Sequence, residues 1–506
     1  MDVKRSLTAI IYLEPDQVNL RIIEIPTLKV INNVRSGLLN IGNAKVANYS
    51  ENMTTIVNNI EGFKQIINDY HATSVKFYGD LEDLDPVATR YVADQLEVRT
   101  GLQIEWLNNN QLMAQSMSYL LTLLPDFEKL SKHNMYLLSI GLSSTTLAYF
   151  HHGSFERAWD IDLGNAKISQ LVSRLRKTAT NPTEIIQDYI SSKLEYLTPE
   201  LTKKKHTVMM VQNALSLNKL FLPHDQQIAE VPLYKFHDDY QKILSPVKDG
   251  LMKNMQIDDQ QFELLLPNYL VTARTVRLIQ PAGLYVTDIS TMDGISHGIG
   301  VNNLKTRRQI NEMIRTAADN ISSRYGVDSA HRDFVTRFSL QLFDQLRPIH
   351  RLGRHERLLL EIASGIDDIG NFINQRGHYR HSAYIMEANP LIGLSDKDNR
   401  IIAEVARYHS AESPDISQAH YRHLDDEIQM PVAKLAAILR LVDALDDSRL
   451  QKISSIKLKL VGDSRLIIKA IANDDLVLEK WSFSKKSQLF KDVYGIEPVL
   501  TERSDH

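Results

Sequence analysis

Two adjacent aspartates and two histidines lie close together in the stretch GIDDIGNFINQRGHYRHS, residues 365–382. Carboxylate and imidazole groups are common protein ligands of divalent cations, so this spacing can build a metal site. The same residue types also suit the polar end of a helix that does no chemistry. The stretch alone does not decide between these two interpretations.

The composition limits the chemistry that the chain can perform. Its 506 residues are 43% hydrophobic and 24% charged, which is typical of a soluble protein with several domains. The net charge of −4 argues against general nucleic-acid binding, and the absence of cysteine excludes disulfides, thiolate metal sites and cysteine nucleophiles. We expect a cytoplasmic protein, because the N-terminal apolar run is too short for a secretory signal and no segment is long enough to span a bilayer.

The elements that position these residues change character along the chain. Residues 7–13 and 18–25 are short and rich in Ile and Val, which predicts a pair of strands, and residues 53–70 have helical periodicity. A similar order of strands and helices recurs from residue 135, which indicates two α/β lobes in tandem with a ligand cleft between them. Helical periodicity then dominates residues 306–448, and strand patterns return after residue 453.

Four segments of the helical part carry a resemblance to a known family. They are LLLEIASGIDDIGNFI (358–373), GHYRHSAYIM (377–386), EVARYHSAESP (404–414) and AAILRLVDALDDSRL (436–450). In this order they resemble the exopolyphosphatase/guanosine pentaphosphate phosphatase (Ppx/GppA) family in its long form, with this chain as a divergent member.

The resemblance implies the fold class α/β plus α. It predicts two actin-like lobes of the ribonuclease-H type, an all-helical HD-like domain and a small α+β C-terminal domain. We place these domains at residues 1–130, 131–305, 306–450 and 451–506. It also implies hydrolysis of phosphoanhydride bonds, polyphosphate or a phosphorylated guanosine nucleotide as ligand, Mg or Mn as cofactor, and a homodimer.

The first phosphate loop of the family has no functional counterpart here. In AIIYLEPDQVNLRIIEI (9–25), the family's Gly-Ser-Asn-Ser turn is replaced by residues 13–16, Leu-Glu-Pro-Asp. Pro15 has no backbone N–H to offer, and Glu14 and Asp16 repel phosphate. Phosphate binding is therefore not expected at this turn.

The second phosphate loop keeps more of its donors. SIGLSST (139–145) supplies four candidate phosphate-binding residues, Gly141, Ser143, Ser144 and Thr145, while Ser139 replaces a family carboxylate. The family's catalytic glutamate corresponds to a neutral residue near Gln111, which can orient water but cannot take its proton. No catalytic residue is assigned, because Gln111 and Ser139 lie near the positions of lost acids.

In the HD-like domain, the resemblance assigns six candidate metal ligands: His331, Asp367, Asp368, His381, His409 and Asp443. Asp367 stands where HD domains have a histidine, and this exchange favours magnesium or manganese over zinc or iron. The alternative is that Asp443 and Asp446 simply pair with Arg440 or Arg449 at a solvated helix end.

Basic residues cluster in the same region and form a candidate polyanion site, represented by Arg347, Arg351, Arg354 and Arg380. The alternative is a solvated helix face with ion pairs to Glu356, Glu361 and Asp344. Three functions remain open: a binding or regulatory protein with a degenerate hydrolytic site, an active Mg-dependent exopolyphosphatase, and a phosphohydrolase acting at the HD-like site.

Overall fold

The computed structural model describes residues 5–37, 39, 49–81, 84, 86–123, 127, 129–130, 132–178, 181–198, 201, 206–212, 215–223, 226–244, 259–299, 304–462, 464–472 and 474–504. The chain forms two compact units, residues 1–313 (unit 1) and 314–506 (unit 2). Among the described helices, none combines the length and apolar character needed to cross a membrane.

The first lobe of unit 1 is built on a five-stranded sheet. Its central strand β1 (Ser6–Leu13) pairs antiparallel with β2 (Val18–Ile25) and parallel with β4 (Ser74–Asp80). Strands β3 (Lys29–Arg35) and β5 (Glu105–Leu107) form the edges, in the order β3-β2-β1-β4-β5. The chain between these strands contributes helices α1 (Tyr49–Asp69), α2 (Pro86–Thr100) and, after β5, α3 (Asn109–Leu123).

The second lobe repeats this arrangement. Strand β6 (Asn134–Ile140) pairs antiparallel with β7 (Thr145–His151) and parallel with β9 (Thr207–Gln212). The sheet order is β10-β11-β9-β6-β7-β8, with β8 (Ser154–Ile161), β10 (Ile228–Val231) and β11 (Gly283–Thr287) completing it. Its helices are α4 (Asn165–Thr178), α5 (Pro182–Leu194), α6 (Leu215–Phe221), α7 (Leu233–Leu244), α8 (Asp259–Ile279) and α9 (Thr291–Ile299).

Strands β1, β2 and β6 are buried along most of their length because they lie in the middle of their sheets, covered by helices. This explains why they are nearly continuous apolar runs. In the first lobe, the apolar face of α1 (Met53, Ile56, Ile60, Phe63 and Ile67) packs with β1 and β2 in one core.

Unit 2 is mainly helical. Helix α10 (Leu304–Arg324) crosses the boundary between the units along the chain, and the following helices are α11 (Ser329–His350), α12 (Arg354–Ile366), α13 (His378–Ala388), α14 (Asp396–Arg407), α15 (Ala419–Arg422) and α16 (Asp426–Asp443). A three-stranded sheet follows, with β12 (Ile453–Val461) antiparallel to β13 (Arg465–Ala472) and β14 (Glu497–Ser504) parallel to it. Helix α17 (Val477–Tyr494) connects β13 with β14.

The architecture confirms the predicted fold class, α/β lobes followed by a helical part and a small C-terminal α+β part. The four-domain boundaries stay a prediction.

Candidate functional site

Unit 1 contains a cleft of about 240 Å³ where the β1–β2 turn, the β6–β7 turn, α3 and the segment after β11 meet. Four carboxylates line it, Glu14, Asp16, Asp80 and Asp288, together with two arginines, Arg21 and Arg35. The lining therefore carries more acidic than basic groups, which is unfavourable for a polyanionic ligand.

Glu14 is the most perturbed of these acids. Its Oε2 accepts hydrogen bonds from Gln17 Nε2 (2.6 Å) and Asn19 Nδ2 (2.5 Å). Burial, reinforced by the charge of Asp16, nevertheless raises the pKa of Glu14 to about 7. Burial also raises the pKa of Asp16 and of Asp288. These shifts indicate that burial in the cleft favours the protonated form of these acids.

Arg21 is engaged within the fold rather than presented to a ligand. Its Nη1 lies 2.6 Å from Asp293 Oδ1, and its Nε donates to Asn33 Oδ1 at 3.3 Å. Asp293 stands in the first turn of α9, where its other oxygen accepts from the backbone N–H of Ser290, which precedes the helix. The Arg21–Asp293 pair ties β2 of the first lobe to α9 of the second. Arg21, which lines the cleft, is therefore already paired with a carboxylate of the protein.

The second phosphate loop is a closed turn. The Gly141 N–H donates to Ser144 O at 2.9 Å, and the Thr145 hydroxyl donates to Leu163 O. Ser144 Oγ accepts from Asn109 Nδ2 at 3.0 Å, and Ser143 is buried. Gly141 and Ser144 line the cleft, but two of the four predicted phosphate donors are used inside the protein.

Gln111 and Ser139, which the sequence places near positions where the family has acids, lie in different surroundings. Gln111 forms a capping box at the start of α3: its Oε1 accepts from the Asn108 N–H at 3.1 Å, and its own N–H donates to Asn108 Oδ1 at 2.9 Å. Among the described residues it is not part of the cleft lining, whereas Ser139 is. Gln111, which the resemblance places near the family's catalytic glutamate, thus serves as a helix cap in this chain.

Buried amide oxygens add to the acceptor character of the cleft. Asn19 and Asn218 use their amide N–H groups on Glu14 and on Thr287 O, which fixes the amide orientation and points each Oδ1 elsewhere. Within the described part of the chain these two oxygens have no hydrogen-bond donor, and the same holds for Asn165 and Asn268. Since all four asparagines line the cleft, it is better matched to a donor-rich ligand than to phosphate.

In unit 2, helices bring a second group of acids together with histidines. We call it the aspartate–histidine cluster; its members are His331, Asp367, Asp368, His378, His409, Asp443 and Asp446. The residues come from the first turns of α11 and α13 and from the ends of α12, α14 and α16. Helix ends position them because several chain segments can converge on one point of a helical core.

His331 is the centre of one half of the cluster. Its Nδ1 lies 2.8 Å from Asp446 Oδ2 and its Nε2 lies 3.3 Å from Asp443 Oδ1. Burial alone would lower the pKa of His331, but its contacts with Asp443 and Asp446 raise this pKa to about 10. In this arrangement the ring is protonated: Nδ1 is hydrogen-bonded to Asp446, Nε2 faces Asp443 as an ion pair, and no lone pair is left for a metal ion.

Two further cations neutralise the buried aspartates. Lys486 Nζ, from α17, lies 2.5 Å from Asp443 Oδ2, and Arg449 Nη1 lies 2.5 Å from Asp368 Oδ2. Despite their burial, these partners keep the pKa of Asp443 well below its usual range and lower the pKa of Asp368. Burial, with the neighbouring charges of Asp368 and Asp443, raises the pKa of Asp367 well above its usual range. In this half of the cluster the chain's own cations thus lie next to Asp443, Asp446 and one oxygen of Asp368.

The other half contains a pair of histidines. His378 Nε2 lies 3.0 Å from His409 Nε2, and Asp368 Oδ1 lies 3.6 Å from the first and 3.9 Å from the second. His409 is almost fully buried, and this burial lowers its pKa to about 4. His378 is partly exposed, with 18% of its side chain accessible.

The six predicted metal ligands do not converge on one point. His331, Asp367 and Asp443 lie in the first half, and Asp368 lies between the two halves, with one oxygen near Arg449 and the other near the two histidines. His409 faces His378, and in the described residues it is the ring of His378, not that of His381, that groups with Asp368 and His409. The sequence interpretation missed His378, Arg449 on Asp368 and Lys486 on Asp443. The alternative pairing of Asp443 and Asp446 with Arg440 or Arg449 is wrong, since Lys486 and His331 are their partners.

The candidate polyanion residues fall into two places. Arg347, Arg351 and Arg354 are exposed at the junction of α11 and α12, and no ion pair joins them to a carboxylate of the described chain. Arg380, on α13, pairs with Glu412. Of the expected ion pairs at the junction, Asp344 pairs with Arg357, while Glu356 caps α12 by accepting from the Gly353 N–H.

Residues 314–486 match the family model described as Ppx/GppA phosphatase, domain III, and the match contains every residue of the aspartate–histidine cluster. This part of the chain is therefore identified as domain III of the Ppx/GppA phosphatase family. The matched domain is the helical part of unit 2, together with β12, β13 and the first half of α17.

Individual relatives are distant. A guanosine-5'-triphosphate,3'-diphosphate pyrophosphatase of Aeromonas hydrophila is 28% identical over 112 residues, and this match spans 22% of the present chain and 22% of the relative. Among solved structures, an exopolyphosphatase from Cytophaga hutchinsonii has a TM-score of 0.48 at 12% identity, covering 59% of this chain and 98% of that one. The Ppx/GppA family member of Aquifex aeolicus has a TM-score of 0.46 at 14% identity, covering 60% and 99%.

Proposed function

We propose that this chain acts in polyphosphate or guanosine polyphosphate metabolism as a binding or regulatory protein whose hydrolytic cleft is degenerate. Family membership supports the metabolic context. The single observation that carries the loss of hydrolysis is the cleft lining. It contains four carboxylates and two arginines, and one of these arginines, Arg21, is already paired with Asp293. A chain of phosphates entering this cleft would meet negative charge and few free donors.

The same proposal places anion binding on unit 2. Arg347, Arg351 and Arg354 lie within eight residues at the junction of α11 and α12, exposed and without carboxylate partners in the described chain. Unpaired arginines in an acidic protein suit a phosphate chain, because each guanidinium can donate two hydrogen bonds to phosphate oxygens. A homodimer and a cytoplasmic location complete the proposal; light scattering of the purified chain tests the first.

Phosphate release tests the enzymatic part. The chain is incubated with polyphosphate or guanosine pentaphosphate and with Mg²⁺ or Mn²⁺, and free phosphate is measured. We expect no multiple-turnover release. A clear multiple-turnover rate of phosphate release would contradict the regulatory proposal.

Glu14 favours one alternative, an active enzyme with a substitute acid. A carboxyl group with a pKa of about 7 at the edge of the cleft has the proton affinity of a general base. If phosphate is released, Glu14→Gln should abolish the rate when the cleft is active, and Asp368→Asn should abolish it when the helical site is active. The two variants therefore assign any activity to one unit.

Binding is tested with labelled polyphosphate over a range of salt concentrations. We expect affinity to fall with salt and to fall at least tenfold in the double variant Arg351→Asn/Arg354→Ser, with a smaller salt dependence. Asn is chosen at 351 because this residue is left-handed (φ 56°), a conformation that asparagine tolerates. The double variant Arg465→Ser/Lys469→Ser removes two exposed charges from β13 and serves as the matched control. Equal losses in both would show that only net charge matters and would remove the specific site.

A further inference from the structure

Two histidines of the cluster, His378 and His409, face each other in a way that requires a proton or an ion between them. His378 Nδ1 lies 3.0 Å from Gln375 O, and His409 Nδ1 lies 2.6 Å from Ala406 O. Carbonyl oxygens only accept hydrogen bonds, so each Nδ1 carries the ring hydrogen. In the neutral rings both Nε2 atoms then present lone pairs to each other at 3.0 Å. Two lone pairs at this distance repel unless a proton or a metal ion lies between them.

The position of Asp368 distinguishes these two occupants. Its Oδ1 is 3.6 Å from His378 Nε2 and 3.9 Å from His409 Nε2, and within the described chain this oxygen has no hydrogen-bond donor. A shared proton would satisfy only the two nitrogens. The three separations place one point about 2.1 Å from all three atoms, and this is the length of zinc–nitrogen and zinc–oxygen bonds.

The surroundings also have the form that metal sites require. Ligating histidines almost always donate their other N–H to a carbonyl or carboxylate, as both rings do here. The second oxygen of Asp368 is held by Arg449 at 2.5 Å, which fixes the orientation of the carboxylate and directs Oδ1 toward the histidines. Asp368 and His409 are buried, whereas His378 is 18% exposed, so one side remains accessible to water.

We propose that Asp368, His378 and His409 bind one divalent transition-metal ion that prefers imidazole, with Zn²⁺ as the representative. Two imidazoles and one carboxylate disfavour magnesium and calcium, which prefer oxygen ligands. The site differs from the predicted set in using His378 in place of His381 and in excluding His331, Asp367 and Asp443. Three protein ligands leave coordination positions open for water or for a phosphate oxygen. The site is independent of the unit 1 cleft and holds whether or not the cleft is active.

Calorimetric titration of the full chain with ZnCl₂, after removal of metal with a chelator, tests the proposal. We expect one equivalent of Zn²⁺ to bind and the affinity to fall at least 100-fold in His378→Ala. His381→Ala is the matched control, because it removes the other histidine of the same helical turn and should retain wild-type affinity. His378 is used because it is partly exposed, so the variant should fold; circular dichroism checks this.

Two measurements decide the remaining outcomes. Cobalt(II) substitution should give visible d–d absorption that disappears in His378→Ala and persists in His381→Ala. MgCl₂ should not compete with Zn²⁺ at a hundredfold excess. Absence of Zn²⁺ binding to the wild-type chain overturns the proposal and leaves a proton-sharing histidine pair. Binding that survives in His378→Ala, or that is lost in His381→Ala, overturns the assignment of the ligands.

Discussion

The unit 1 cleft and the aspartate–histidine cluster of unit 2 each contain four carboxyl groups, but the negative charge of these groups is compensated differently in the two places. In the cluster, three aspartates have cationic partners at 2.5–2.8 Å: Lys486 on Asp443, Arg449 on Asp368 and His331 on Asp446. In the cleft, Arg21 is committed to Asp293, and the acids instead show raised pKa values.

This difference shows how similar residue types serve structure in one place and ligand access in another. Buried ion pairs hold their partners in fixed positions, so removing one partner leaves an uncompensated charge and costs stability. Carboxylates that line an open cavity can instead take up a proton or a donor-rich ligand. We therefore expect changes in the cluster to affect folding and changes in the cleft to affect mainly pH dependence and binding.

The largest expected effect follows from Lys486→Met. The substitution keeps the length of the side chain but removes the cation next to Asp443, which is almost completely buried. We expect a loss of about 3–5 kcal/mol in the free energy of unfolding, measured by urea denaturation.

Lys491→Met is the control for this variant. It lies on the same helix α17, pairs with Glu497 and is about half exposed, so the expected change is within about 0.5 kcal/mol. Similar losses in both variants would contradict the claim that the cluster depends on its internal cations.

A smaller effect is expected from Gly370→Ala. A Cβ at this position would overlap the backbone carbonyl of His378 and the N–H of Ser382, so the start of α13 would have to move. We expect a loss of about 1–3 kcal/mol, seen in the urea midpoint. Gly365→Ala, five residues earlier near the end of α12, meets open space and should be neutral or stabilising by up to about 1 kcal/mol. A neutral Gly370→Ala would show that this close approach is not needed.

The smallest effect is a pH dependence in the cleft. The pKa of Glu14 rises from 4.5 to about 7, so between these values the folded protein holds a proton that the unfolded chain has released. Stability from this group is therefore present below pH 4.5 and is lost as pH rises through about 7. Glu14→Gln should remove this dependence, a difference of roughly 1–3 kcal/mol between pH 5 and pH 8.

Urea denaturation at several pH values measures the effect. Glu61→Gln, on the exposed face of α1, keeps Glu14 intact and should follow the wild-type curve. If the free energy of unfolding of wild type and of Glu14→Gln changes with pH in parallel, the proton is not held at Glu14. This result would contradict the claim that the cleft, unlike the cluster, takes up a proton on this acid.

The sequence predicted the fold well where burial dictates residue type. Strands β1 and β2 are apolar because both lie in the interior of the sheet. The edge strand β3, KVINNVR, is mostly exposed and escaped detection, because exposed edges do not need an apolar pattern. The last strand, β14, EPVLTERS, has a largely polar sequence and was missed as well.

The candidate site was predictable in residue type but not in partners. His378 and His381 occupy the same turn of α13, and their spacing in the sequence does not show which ring reaches Asp368. Asp443 ends α16, and the tight turn at Ala444–Asp446 lets Asp446 reach His331 as well. Lys486 and Arg21 contact acids 43 and 272 residues away along the chain, so no local pattern identifies these partners.

The distance from Asp443 to Lys486 has a consequence for biosynthesis. When the ribosome has just completed α16, the lysine that neutralises Asp443 has not yet been made, and 43 further residues must be added first. At about 5–20 residues per second, this interval lasts roughly 2–9 seconds. During it the end of α16 cannot adopt its final buried state without cost, so completion of the helical domain waits for the C-terminal segment.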